Sequence, residues 1–276
     1  MRERYLVIVA CVILFLGGVA TGMILGGFLK APESRSEIQE DREVLYQVST
    51  IDSLLQGAYE GTISIGELRH YGDFGIATLD DLDGEMVALD GNYYQVRADG
   101  RIILADNKMT VPFGSVTHFT TDRKIFLARA DNFSDFASLA ESGLPSRNLF
   151  YAVKIHGFFP YVKTRSIPAQ GKPYPRLVDA TANQSVFDLR NTTGTLAGFW
   201  TPDLARGLNI PGFHLHYLTD DRTGGGHVLD VSLENVSMEL DETSGFAMGL
   251  PTSGSFTGVN LSGDLGSELA IVEQGQ

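Results

Sequence analysis

The stretch Phe213-His214-Leu215-His216-Tyr217-Leu218, then Asp220-Asp221-Arg222-Thr223-Gly224-Gly225-Gly226 and His227, holds half of the chain's six histidines. It reads as strand, turn, strand. Side chains alternate along a strand, so His214 and His216 share one face, about 7 Å apart, while Leu215 and Tyr217 pack on the other. The midpoint between His216 and His227 falls in the glycine-rich turn at Asp221 and Arg222, so a hairpin closing there sets His227 opposite His216. Three imidazoles then converge on one point. Three protein nitrogens with an open fourth position are the catalytic pattern for zinc, and structural sites are closed by four ligands, usually with cysteine. The only cysteine, Cys11, is far away in an apolar run. Imidazole also suits copper, iron and nickel, so spacing names the site and leaves the ion open.

The chain has 276 residues, 43% of them hydrophobic, enough for one large domain or two small ones. A net charge of -13 with no clustered Lys/Arg stripe excludes a nucleic-acid partner. After Arg2 and Arg4, the uncharged run Leu6 to Leu29 covers the roughly 20 residues that span a bilayer. We expect a fold preceded by an amino-terminal transmembrane helix, with a cleavable signal peptide as the rival. Basic residues before the run place the body outside the cytoplasm, membrane-anchored, or secreted if the segment is cleaved. The reading by residue number is 1–30 anchor or signal segment, 31–44 linker, 45–184 an amino-terminal α/β subdomain, and 185–276 a β-rich metal-binding subdomain.

Within the body, Val44 to Gln56 is expected to be helical and Ile65 to His70 a second short helix. Short apolar runs such as Met86 to Leu89, Tyr93 to Val96 and Ile102 to Leu104, divided by glycine turns, have the pattern of antiparallel strands. Ser134 to Ser142 reads as a helix with a serine cap, Phe150 to Lys163 as strand, and Ser166 to Pro175 as a long loop. Segregated helices among strand runs give an α+β class, two domains of mixed sheet with a few helices. Phe74 to Thr78 with Gly84-Glu85 also echoes Phe213 to Tyr217 with Gly226-His227. His70, His118 and His156 lie outside the hairpin and read as structural or surface residues.

Five motifs in order carry a resemblance: GIATLDDLDGEMVALDG (75–91), YVKTRSIP (161–168), KPYP (172–175), GFHLH (212–216) and GGHVL (225–229). Together they resemble the α-acetolactate decarboxylases, from about Leu45 onward. The resemblance implies a zinc enzyme, typically dimeric, that converts 2-acetolactate to acetoin and carbon dioxide. It further implies His214, His216 and His227 as the Zn2+ ligands, with Glu85, Arg165, Glu273 and Thr78 as catalytic residues around the substrate. Glu273 lies near the carboxyl end, so the tail must fold back over the site. The chemistry suits these residue types. Acetolactate is a β-keto acid, so the electrons left by carbon dioxide flow into its own ketone and no pyridoxal or thiamine sink is required. A cation on the hydroxyl and ketone oxygens stabilises the developing charge. Two rivals remain: a cupin-like metal oxygenase, and a non-catalytic membrane-tethered binding module on the same scaffold.

Overall fold

Val44-Leu45-Tyr46-Gln47-Val48 forms a strand, where helical spacing suggested a helix. The reason is tertiary. Its β-branched and aromatic residues find hydrogen-bonding neighbours on both sides, antiparallel at Tyr46↔Val116 and parallel at Leu45↔Phe246, and such pairing overrides a weak local preference. Only Ile51–Leu55 remains helical, after a break at Ser49 with φ 60° and a cap in which the Thr50 hydroxyl accepts from the Ser53 N–H.

The computed structural model describes residues 43–274. In chain order its elements are β1 (Val44–Val48), α1 (Ile51–Leu55), β2 (Ile63–Ser64), α2 (Ile65–Leu68), β3 (Phe74–Thr78), β4 (Glu85–Leu89), β5 (Asn92–Val96), β6 (Ile102–Leu104), β7 (Thr110–Val111), β8 (Phe113–Thr117), β9 (Arg123–Ala130), α3 (Phe133–Ser142), β10 (Phe150–Ser166), α4 (Leu177–Ala180), β11 (Ser185–Thr201), β12 (Gly212–Thr219), β13 (Gly225–Thr243), β14 (Gly245–Gly249) and α5 (Gly266–Gln274). Strands outweigh helices, as expected for the α+β class. The cap of α3 is Asn132, two residues before the expected serine, because its side-chain oxygen accepts from the Asp135 N–H at 2.9 Å.

Two large sheets, with a small two-stranded one of β2 and β7, make up the body. One has seven strands in the order β14-β1-β8-β3-β4-β5-β6; the other runs β10-β11-β12-β13-β9, and an extra β10–β13 pairing lets β10 to β13 close on one another. The 184/185 boundary expected from sequence falls between β10 and β11, which pair from Tyr151↔Trp200 to Ser166↔Ser185. Phe74, Ile76, Val87 and Leu89 of the first sheet pack with Ala152, Ala197, Phe199 and Leu218 of the second. Thr78 pairs with Glu85 and Ile76 with Val87, so the same sheet face changes from apolar to polar within one step along the strands. That change positions the site.

Among the described residues no helix is long and apolar enough to cross a membrane. The longest, α3, has 10 residues, about 15 Å of rise against roughly 30 Å of hydrocarbon. This corrects the expected fold, in which a transmembrane helix precedes the sheets. The membrane-anchored, extracytoplasmic location rests on that helix and is withdrawn with it. The run Leu6 to Leu29 lies outside the described residues.

Two glycines hold the hairpin geometry. Gly84 (φ +83°) and Gly226 (φ +127°) each precede a site residue, and an added Cβ would lie 2.3 Å from the Val96 and Arg165 carbonyl oxygens respectively. We predict that Gly226→Ala lowers the unfolding free energy by more than about 2 kcal/mol, from backbone strain plus a collision with main chain. Urea denaturation checks it; a loss under about 0.5 kcal/mol would contradict the packing argument. A second prediction concerns Asp241 on β13, which is 1% exposed and accepts from the Thr120 N–H at 3.1 Å. Burial, reinforced by the charges of Glu43, Asp122 and Asp73, pushes its carboxyl up to about 7. The folded chain therefore holds this proton more tightly than the unfolded chain, and its contribution to stability falls as pH rises from about 4 through about 7. Asp241→Asn should flatten that part of the stability profile and make the variant the more stable protein at pH 8. An unchanged profile in thermal melts across pH would refute it.

Candidate active site

The hairpin forms as its spacing implies, with His216 paired to His227 across β12 and β13. His214, two residues back on β12, projects to the same side. One ligating nitrogen from each of the three imidazoles lies within 4.8 Å of the others. His216 Nδ1 donates to the Met86 carbonyl at 2.9 Å, which leaves its Nε2 lone pair facing the cluster. His214 Nε2 and His227 Nδ1 approach to 3.1 Å. Burial lowers the basicity of all three rings, taking His216 to about 3 and the other two well below the usual histidine range; the Arg165 charge acts in the same direction on each. Neutral imidazoles with inward lone pairs meet the requirement for a divalent metal, and their crowding favours a positive centre among them.

The opposite wall comes from the seven-stranded sheet. Glu85 begins β4, buried, with Oε2 3.6 Å from His216 Nε2. Burial pushes its carboxyl up to about 7, Arg165 pulling it down and Glu273 adding to the rise. Thr78, its partner in the ladder, donates its hydroxyl to the Gly84 carbonyl at 2.9 Å. Arg165, 3% exposed near the end of β10, pairs with His227 in the ladder. Its Nη1 donates to the Val272 carbonyl and, at 3.4 Å, to Gln184 Oε1. Its Nη2 lies 3.7 Å from Glu273 Oε1.

Glu273 arrives on α5, which does fold back over the site. Its Oε2 lies 3.5 Å from His227 Nε2, and burial pushes its carboxyl up to about 7 against the pull of Arg165. Arg176 fastens the start of the same helix through Glu268 at 2.6 Å. All seven residues singled out in the sequence thus line one cavity. Sequence reasoning missed the rest of its wall. Ile51, Leu54, Phe113, Leu177 and Ile210 also line the cavity, as does Ser115 on β8; the apolar ones carry no signal that separates them from ordinary core. His156 instead faces Asp220 at 3.1 Å on the surface, and His118 Nε2 lies 3.4 Å from the His70 carbonyl.

The comparisons with known proteins agree with this geometry. A family model described as alpha-acetolactate decarboxylase matches residues 45–263. The alpha-acetolactate decarboxylase of Methanosarcina mazei is 50% identical over 232 residues, which cover 84% of this chain and 81% of the relative. That of Bacillus subtilis is 40% identical over 228 residues, covering 83% and 89%. A crystal structure of the Bacillus subtilis enzyme superposes with a TM-score of 0.81 at 39% identity, over 84% of this chain and all of that one. The cupin-like oxygenase and the non-catalytic module have no comparable observation in their favour. The chain belongs to the alpha-acetolactate decarboxylase family and is a carboxy-lyase.

Proposed function

We propose that the enzyme converts 2-acetolactate to acetoin and carbon dioxide with a zinc ion held by His214, His216 and His227. The observation that carries this reading is the enclosure of three imidazoles, two carboxyls that burial pushes up to about 7, and one guanidinium in a single cavity with an apolar wall. When bound, the metal supplies Lewis-acid polarisation to the substrate's hydroxyl and ketone oxygens. The protein's own groups do the rest. The bond between the carboxylate carbon and the carbinol carbon breaks, its electron pair moves into the neighbouring ketone as an enediolate, and carbon dioxide leaves.

Arg165 is a permanent cation fixed by α5 and Gln184, suited to oppose the charge of that enediolate. Glu85, buried and held near neutral basicity, carries the proton that is then given to the carbinol carbon to complete acetoin. Its fixed position on β4 sets the face from which that proton arrives. Glu273 orients Arg165 and His227. Thr78 has spent its own hydrogen on the Gly84 carbonyl, so toward the substrate its oxygen accepts. Ile51, Leu54 and Leu177 exclude water and receive the substrate's methyl groups. A homodimer is the assembly inferred from the family resemblance.

The direct assay is to give the protein 2-acetolactate and follow acetoin and carbon dioxide; no turnover at full zinc content would sink the proposal. His216→Ala should lose metal and activity together, read by elemental analysis beside the rate. Glu85→Gln should keep its metal and fold while the rate falls by roughly 100- to 10,000-fold, or while the acetoin formed loses its stereochemical purity. Full activity and unchanged stereochemistry in Glu85→Gln would remove the proton-donor role.

A further inference from the structure

The cavity contains a second polar device, two strands away from Glu85. Ser115 lies in the middle of β8, opposite Ile76 of β3 and Gln47 of β1. It lines the cavity while only 4% of the residue is exposed. Behind it runs a chain of buried amides whose direction is fixed at the far end. Gln47, 0% exposed, donates from Nε2 to the carbonyls of Ser49 and Leu208, each at 2.7 Å. Only an amide nitrogen satisfies two carbonyl oxygens, so Gln47 Oε1 must face the other way. There it accepts from Asn209 Nδ2 at 2.7 Å. The same nitrogen donates to Ser115 Oγ at 3.2 Å, and Asn209 Oδ1 accepts from the Ile210 N–H at 2.7 Å.

Every hydrogen along this chain is therefore assigned except one. Ser115 Oγ receives its hydrogen bond from Asn209, and among the described residues it has no other partner. Among the described residues its own proton has no acceptor, and it is left for the cavity. A relay of this kind turns a rotating hydroxyl into a fixed donor.

Strand register locates that donor. Glu85, Thr78 and Phe113 share one row across β4, β3 and β8. Ser115 is two residues further along β8, so its Cα stands about 7 Å along the strands and about 10 Å across them from that of Glu85. The two groups thus address different ends of a bound molecule. We propose that Ser115 is a substrate-binding residue whose hydroxyl donates a hydrogen bond to the carboxylate of 2-acetolactate, with Asn209 and Gln47 as positioning residues that keep its proton turned into the cavity. This rests on 2-acetolactate as the substrate. The hydroxyl and ketone oxygens belong to the end of the cavity that holds the histidines and Arg165, which leaves the carboxylate for Ser115. A neutral donor suits that task. The carboxylate loses its charge as it becomes carbon dioxide, so a cation there would stabilise the ground state more than the transition state. Ile76, Phe113 and Ile210 beside Ser115 offer the departing neutral molecule an apolar wall.

The test is Ser115→Ala, with Ser115→Cys, which keeps the side-chain volume and a weak donor, as the companion variant. Steady-state kinetics should show the KM for 2-acetolactate raised roughly 10- to 100-fold in Ser115→Ala, the loss of a hydrogen bond to a charged group, with kcat unchanged or higher. Ser115→Cys should fall between it and the parent, and carries the comparison if Ser115→Ala does not fold. The decisive arm is acetoin, which keeps the hydroxyl and ketone and lacks the carboxylate. Its affinity, measured by calorimetry, should be the same in parent and variants. A KM within twofold of the parent, a fall in kcat with KM unchanged, or a loss of acetoin affinity in parallel with KM would each overturn the assignment. A parent enzyme that does not turn over 2-acetolactate would instead overturn the substrate on which it rests.

Discussion

Three imidazoles, two carboxyls and a guanidinium share one largely buried cavity, and the rest of the structure is organised around holding them there. Transfer of one unpaired ion from water into a protein interior costs several kcal/mol. The chain meets that cost through neutrality and pairing. Burial keeps the histidines unprotonated and holds protons on Glu85 and Glu273 far above the usual carboxylate range. Arg165, which cannot shed its charge, is tied to the Val272 carbonyl and Gln184 and stands beside Glu273. The same environment that is expensive to assemble provides neutral metal-ligand nitrogens, a carboxyl with a proton to give, and a cation in a low dielectric.

The two sheets reach this arrangement by a shared device. The β3–β4 hairpin brings Thr78 and Glu85 into register, and the β12–β13 hairpin does the same for His216 and His227. In each, the residue just before the second strand's site residue is a glycine, Gly84 or Gly226, that fits only because it lacks a side chain. The hairpins meet where His216 Nδ1 donates to the Met86 carbonyl, one bond that joins the sheets and fixes the tautomer of a site histidine.

How much of this was legible in the sequence follows from the range of the interactions involved. The histidine hairpin was readable because strand alternation and turn midpoint are local rules. The echo between the two hairpins was visible for the same reason. Residues Val44 to Val48 misled because their strand state depends on β8 and β14, the latter some 200 residues away. Glu273 was accessible only through family resemblance, since α5 is held down by Arg165 and Arg176 from distant parts of the chain. The Gln47–Asn209–Ser115 relay left no trace in the sequence. Three common polar residues acquire a direction only when the fold buries them together.

The central claim is that this buried cluster, loaded with one metal ion, carries the decarboxylation. The most direct measurement is to strip the enzyme of metal, add zinc back stepwise, and record acetoin formation against bound zinc per chain. The account predicts a linear rise from near zero to a plateau at one zinc per chain. Full activity in the stripped protein, or a plateau unrelated to zinc bound, would contradict it.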